Sequence, residues 1–462
     1  MLRLAATAAI LCSGTVLASG CGLSDEDAPA SDSPQLVIET EEDAESQPGA
    51  PTFPSTATKN TVRFAGEDAA ADAAGVATAV FPATSDSTRP EAVVLVDAED
   101  WQGAVAASVL MAGKIGAPLL VSDGDELPPI TAAALGRLDP SGAELADDAQ
   151  VIRISDQVAE PEGRRSSLVA GTDPYDLAAA IDRFSASAEG ARSGAVVVAS
   201  GERPEWAMPA GAWAARSGDA VLFTERDALP EATRDALNEH EDPSIYVLGP
   251  DSVISEDVED ELGELGSVER IEGPTPVENA IEFARFQGPD FGWGLVTPGH
   301  NYTLASTSRP LDAAPAAALA TKGTFAPLLL TDDPEVLPDP LEQYFLDVQP
   351  GYEDNPNSGV FNRVFLLGDQ DTISVAQQSR IDEVTELVPV QIEEGATGTD
   401  SGGIPGVDSG GGGGGGGGAT DSGGGSAPDG GGGGGGALDG GGASPGGGGG
   451  DVPDPGAADG TQ

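Results

Sequence analysis

Short runs of valine, isoleucine and leucine without polar alternation recur along the middle of the chain, and alanine-rich stretches separate them. The run Val93-Val94-Leu95-Val96 returns as Val196-Val197-Val198-Ala199 and again as Gly294-Leu295-Val296-Thr297. Farther on, Ala117-Pro118-Leu119-Leu120-Val121-Ser122 is echoed by Asp219-Ala220-Val221-Leu222-Phe223-Thr224 and by Ala326-Pro327-Leu328-Leu329-Leu330-Thr331, and a Leu-Pro pair ending at Pro128, Pro230 or Pro338 follows each. Each unit opens alike, on Val62-Arg63-Phe64-Ala65-Gly66, Leu168-Val169-Ala170-Gly171 and Arg270-Ile271-Glu272-Gly273. Each closes on a further apolar run: Val151-Ile152-Arg153-Ile154, Ile245-Tyr246-Val247-Leu248-Gly249 and Val364-Phe365-Leu366-Leu367-Gly368. Self-similarity at one fixed spacing, here about 102 to 108 residues, is the mark of a unit used repeatedly.

Runs that are apolar at every position suit strands buried on both faces of a parallel sheet. The stretches at 69–80, 104–114 and 131–138 predict helices between them. Strands alternating with helices imply right-handed crossovers and a doubly wound layer. The expected fold class is therefore α/β: three repeated Rossmann-like modules with parallel sheets in a pseudo-threefold arrangement, spanning 59–160, 161–265 and 266–392.

The flanks carry a different pattern. Residues 4–17 form an uncharged apolar run behind the single cation Arg3, the layout of a secretory signal, and the run is shorter than the roughly 20 residues a membrane span needs. It ends in Ala18-Ser19-Gly20-Cys21, which resembles the lipobox of bacterial lipoproteins. That resemblance implies a signal peptide over 1–20, lipid on Cys21, and the outer face of the cell membrane as the chain's anchor. Cys12 lies inside the removed segment, so the mature chain would hold one thiol and no internal disulfide. Residues 21–58 are rich in Asp, Glu, Ser and Pro with few large apolar groups and read as a disordered acidic tether. Residues 393–462 are glycine tracts broken by aspartate, with no basic residue, and read as a disordered extended tail.

Charge narrows the partners. The chain carries 77 acidic against 21 basic residues, a formal net charge of -56. Such a surface repels nucleic acid, which is excluded as a partner. The acidity is compatible both with adaptation to high salt, where screening shortens self-repulsion, and with simple solubility.

Taken together, Arg63-Phe64-Ala65-Gly66-Glu67-Asp68, Val93-Val94-Leu95-Val96, Gly116-Ala117-Pro118-Leu119-Leu120 and Tyr246-Val247-Leu248-Gly249 closely resemble the cell wall-binding repeat 2 modules of bacterial surface proteins, which occur in threes. The resemblance covers about residues 60 to 390. It implies non-catalytic modules of open α/β fold, packed around a pseudo-threefold axis, that hold a protein at the cell surface by noncovalent binding of an anionic cell-wall polymer or a peptidoglycan-associated glycan. This sequence departs from the family at identifiable places. An Asp-Arg pair usually follows the first glycine; Asp68 and Asp173 keep the acid, Ala69 and Pro174 replace the arginine, and Pro274-Thr275 replaces both. The family's Asp-Ala-Leu segment is best kept at Asp312-Ala313-Ala314, whereas the first unit has Gly103-Ala104-Val105 and the second Trp206-Ala207-Met208. The candidate polymer-binding residues are Arg63, Asp68, Asp173, Arg270 and Asp312, with Arg153 as a further cation on a repeated strand. The alternative for the arginines is pairing with neighbouring carboxylates. An anionic polymer meeting so acidic a protein needs either a local basic pocket or divalent cations as bridges.

Residues for catalysis do not converge. His240 and His300 have no matching set for a zinc site or a triad, and acid pairs such as Asp147-Asp148, Asp332-Asp333 and Glu393-Glu394 lack the spacing of a calcium loop. Gly66, Gly249 and Gly368 follow strands without a dinucleotide fingerprint and suit tight turns. Trp101, Trp206 and Trp293 are placed near the end of one strand in each unit, where they would either pack or stack on sugars. Asn301-Tyr302-Thr303 matches a glycosylation acceptor. No enzyme activity and no cofactor are expected. The rival to a wall-binding lipoprotein is a solute-binding surface lipoprotein, which would pair two lobes around one cleft.

Overall fold

A computed structural model describes residues 55–321 and 323–390. The expected signal peptide, Cys21, most of the tether and the glycine-rich tail lie outside the described residues.

The first repeat contributes β1 (Ser55–Ala57), β2 (Thr61–Phe64), α1 (Ala69–Val80), β3 (Val93–Asp97), α2 (Trp101–Ala107), β4 (Leu119–Ser122), α3 (Pro129–Leu138) and β5 (Val151–Ile154). The second contributes β6 (Ser166–Val169), α4 (Pro174–Glu189), β7 (Ala195–Ser200), α5 (Pro204–Ser217), β8 (Ala220–Thr224), α6 (Glu231–Glu239), β9 (Ser244–Leu248) and α7 (Glu256–Gly263). The third holds β10 (Ser267–Ile271), α8 (Pro276–Arg285), β11 (Asn301–Ser306), α9 (Ala313–Leu319), β12 (Leu328–Thr331), α10 (Asp339–Asp347), β13 (Gly351–Tyr352), β14 (Arg363–Leu367), α11 (Val375–Val384) and β15 (Val388–Pro389).

Three open sheets share one order. They run β4-β3-β5-β6, β8-β7-β9-β10 and β12-β11-β14-β2, parallel throughout, with β1 added antiparallel at the edge of the last. Val93, Val94, Leu95 and Val96 of β3 and Val196, Val197, Val198 and Ala199 of β7 are all fully buried, as runs without alternation require.

The fourth strand of each sheet comes from the run that opens the following repeat. Thus β6 pairs with β5, β10 with β9, and β2, from the N-terminal end of the described chain, pairs with β14 near its C-terminal end. The chain closes on itself through that last pairing. Lys59 forms an ion pair with Glu386, and the Asn60 amide donates to Asp382 Oδ1 at 2.8 Å beside it.

Packing follows the same cycle. The helix after the first strand of each sheet, α2, α5 or α9, meets the other two. Each also receives one neighbour's leading helix: α4 on α2, α8 on α5, and α1 on α9. Small side chains permit this approach: Ala104, Ala107, Ala210, Ala214, Ala313 and Ala317 are fully buried, and a Cβ on Gly211 would stand 3.2 Å from Ser108 Oγ.

Two sequence expectations are corrected. Gly294-Leu295-Val296-Thr297 is loop, and the first strand of the third sheet is Asn301–Ser306. Gly292 and Gly294 adopt φ of 99° and 64°, and Pro298-Gly299 breaks the chain again, so the apolar run cannot extend. Trp293 consequently lies in that loop, its ring 5.4 Å from Trp213, rather than at a strand end. Asn301-Tyr302-Thr303 is part of the interior strand β11, between β14 and β12, with Tyr302 and Thr303 fully buried.

Candidate functional site: a groove at the junction of the first and third modules

Open α/β sheets present their ligand sites beyond the strand C-termini. At that end of the first sheet lies a groove of about 680 Å³, bounded by Ala98 after β3, Asp123 after β4, the N-terminus of α1, and Arg309 and Leu311 from the third module. Glu67, Asp68, Asp123 and Glu126 give its wall four carboxylates, and Arg309 is the one cation among its lining residues.

Asp68 is the N-cap of α1 and accepts from the Ala71 amide at 2.8 Å. Its counterparts are Asp173, which caps α4 through the Tyr175 and Asp176 amides, and Thr275, which caps α8 through the Glu278 amide. Thr275 thus occupies the capping position that the sequence comparison left without an acid.

Beneath the groove two buried carboxylates share one guanidinium. Arg309 Nη2 donates to Asp72 Oδ2 at 2.6 Å and to Asp312 Oδ1 at 3.1 Å, and Nε lies 2.9 Å from Asp312 Oδ2. Asp72 Oδ1 also accepts from the Gly66 amide at 2.9 Å. Burial raises Asp72 to about 7, reinforced by Asp312 and opposed by Arg309. Burial likewise raises Asp312 to about 6 against the pull of Arg309. The cluster ties α1 of the first module to the β11–α9 connection of the third.

The other two junctions lack this set. Where the third module has Arg309 and Asp312, the first has Asp100 and Gly103, and the second has Arg203 and Trp206. Where α1 has Asp72, four residues after its cap, α4 has Leu177 and α8 has Asn279. Ala69, at the groove wall, stands where the family resemblance places an arginine, and Arg309 brings a guanidinium to the same groove from another strand end.

The arginines singled out in the sequence turn onto the protein. Arg63 is buried and donates to Gln378 Oε1 at 3.0 Å and to the carbonyls of Gly368 at 2.9 Å, Asp369 at 2.7 Å and Ile373 at 2.7 Å. Arg270, its counterpart on β10, donates to the Gly249 carbonyl at 2.7 Å and pairs with Glu259 at 2.5 Å. Arg153 donates to the Val158 carbonyl at 3.0 Å. Of the residues predicted, Asp68 lines the groove and Asp312 is buried beneath it, whereas Asp173 caps α4 in the second module and Arg270 is held on β10 by the Gly249 carbonyl and Glu259. Sequence reading missed Asp72 and Arg309. A signal existed: Asp72 is the one charged residue in the alanine-rich α1.

His240 is buried, with Asp182 Oδ2 at 3.2 Å and the Ser193 carbonyl at 3.1 Å, in a network that includes Arg192. Trp206 is buried and Trp101 packs its ring edge on Phe223 at 5.7 Å, so neither forms an open platform for sugars.

Comparison with known proteins places part of this chain in context. Residues 169–259 match the family described as Cell wall binding domain 2 (CWB2). That segment runs from the end of β6 into α7, most of the second module. Over 219 residues the chain is 25% identical to the amidase enhancer of Bacillus subtilis (strain 168), covering 47% of this chain and 28% of that protein. The fold is similar to that of Cwp8 from Clostridium difficile, with a TM-score of 0.54 and 19% identity, covering 71% of this chain and 52% of that one. It is also similar to Cwp6 from Clostridium difficile, with a TM-score of 0.55 and 16% identity over 74% and 51% of the two chains. The chain therefore spans about half the length of these solved structures and 28% of the curated relative.

Proposed function

We propose that the protein is a non-catalytic cell-envelope lipoprotein, held to the membrane by lipid on Cys21, that binds an anionic cell-wall polymer noncovalently through its three-module body. The observation that carries this reading is the match of residues 169–259 to a cell wall binding domain, in a chain whose other two sheets repeat the same strand order. Under this reading the segment between Cys21 and β1 acts as the tether, and the tail from 393 extends into the wall. The groove beside Arg309 is the polymer site, with Asp68 at its wall.

Electrostatics sets the conditions. One guanidinium among four wall carboxylates does not by itself attract a polyanion. Binding then draws on divalent cations that bridge acid to acid, and on salt that shortens the repulsion. The solute-receptor alternative fares less well, because three sheets of equal order form three like units rather than two lobes about one cleft.

Purified wall fractions provide the test. The protein is expected to co-sediment with wall material in millimolar Ca²⁺ or Mg²⁺ and to be released by a chelator. Absence of co-sedimentation at every salt and cation concentration would remove the proposal.

A further inference from the structure

Asp72 and Asp312 are both buried beneath the groove, and the same guanidinium, Arg309, serves both. The charged groups acting on this pair come from β2, the segment after β14, the cap of α1 and the groove wall. Arg63 on β2 acts on Asp72 but is committed to backbone carbonyls and Gln378; Asp369, after β14, acts on Arg309; Asp68 acts on Asp312. Glu67, Asp123 and Glu126 stand on the groove wall. With both acids ionised, the two carboxylates and one arginine leave a negative charge directly under the place where an anionic group would reach Arg309. With one acid protonated the cluster is neutral; Arg309 Nη1 stays on the Gly66 carbonyl at 3.3 Å and Thr372 Oγ1 at 3.2 Å, so the hydrogen-bonding capacity open to a ligand is that of Nη2 and Nε, which face the acids.

We propose that occupation of the groove by an anionic group is coupled to uptake of a proton by the Asp72–Asp312 pair. The inference rests on the reading of the groove as the polymer site. The coupling is reciprocal: an anion beside Arg309 raises the proton affinity of the acids, so protons raise the affinity for the anion. Burial already holds both acids above the ordinary carboxylate range, to about 7 and about 6, which places the transition near neutral pH. The sign for stability is the same. Acids whose pKa is raised on folding favour the folded state at low pH, and that contribution is lost as pH rises through their folded values.

The molecule contains its own control. Asn279 occupies the position in α8 that Asp72 occupies in α1, is fully buried, and accepts from the Gly273 amide at 3.1 Å as Asp72 accepts from Gly66. Asp72→Asn should therefore keep the backbone hydrogen bond and remove the titration. Leu177, at the same position in α4, supports Asp72→Leu as a second variant should the first fail to fold.

The experiment measures retention of the full chain on purified wall material, with its cations held constant, at about pH 5.5 and about pH 8, beside the melting temperature of the free protein at both. The native protein is expected to be retained about tenfold better at the lower pH, and Asp72→Asn to lose most of that difference. Without wall material, the melting temperature of the variant minus that of the native protein is expected to rise between the two pH values. Equal pH dependence of retention in both proteins would overturn the coupling while leaving wall binding standing. A melting difference that does not change with pH would also overturn it, since the pair would then not titrate in this range. Failure of both proteins to be retained at any pH would remove the wall reading and the coupling with it, and the melting data would still report separately on the acid pair.

Discussion

Arg63→Ala is expected to lower the stability of the fold by about 4 kcal/mol, read as a fall in the urea midpoint of the purified chain. Its guanidinium donates four hydrogen bonds from β2 to the turn after β14 and to Gln378 of α11, and all four acceptors are drawn from the closing end of the described chain. Alanine leaves three carbonyls and an amide oxygen without this donor in a site that is 2% exposed. It also weakens the pairing by which the N-terminal strand completes the third sheet. A change below about 0.5 kcal/mol, the size of an ordinary surface substitution, would show that the closure does not depend on this residue.

Gly171→Ala should be nearly as damaging, by about 3 kcal/mol, because a Cβ there would stand 2.2 Å from the Leu177 backbone nitrogen. The same constraint recurs at Gly66 and Gly273, whose Cβ atoms would meet the backbone nitrogens of Asp72 at 2.6 Å and Asn279 at 2.4 Å. At these three points the chain leaves the fourth strand of one sheet and enters the leading helix of the next module. Gly136→Ala supplies the contrast. Gly136 is exposed within α3, and a Cβ there meets nothing within 4 Å, so alanine should raise stability by about 0.5–1 kcal/mol through helix propensity. Thermal or urea unfolding of the two variants should therefore move in opposite directions. Movement in the same direction would refute the close-approach account.

The repeat was legible because buried parallel strands tolerate only a narrow set of residues, so Val93–Asp97 and Ala195–Ser200 announce themselves by composition. The third copy was misplaced because Leu295 and Val296 look more strand-like than Asn301-Tyr302-Thr303, although the glycines around them forbid extension. Burial of Tyr302 depends on α10, where Tyr344 and Phe345 stand against its ring, and such contacts are absent from a local pattern. Strand exchange between repeats was equally hidden. The run that opens a repeat in sequence completes the preceding sheet in space, and nothing in the order of residues distinguishes the two pairings. The resemblance-based site residues were legible as motif positions. Arg309 and Asp72 belong to no motif, lie 237 residues apart, and acquire meaning only when the chain closes on itself.

Wall retention of the double variant Asp72→Asn/Arg309→Gln tests most directly whether the groove holds the polymer. Removing one acid together with the arginine leaves the formal charge of the ionised cluster unchanged, so any loss reports on the guanidinium rather than on net repulsion. Retention is expected to fall at least about tenfold at every pH in the presence of Ca²⁺, with the fold intact by circular dichroism. Retention equal to that of the native protein would contradict the account.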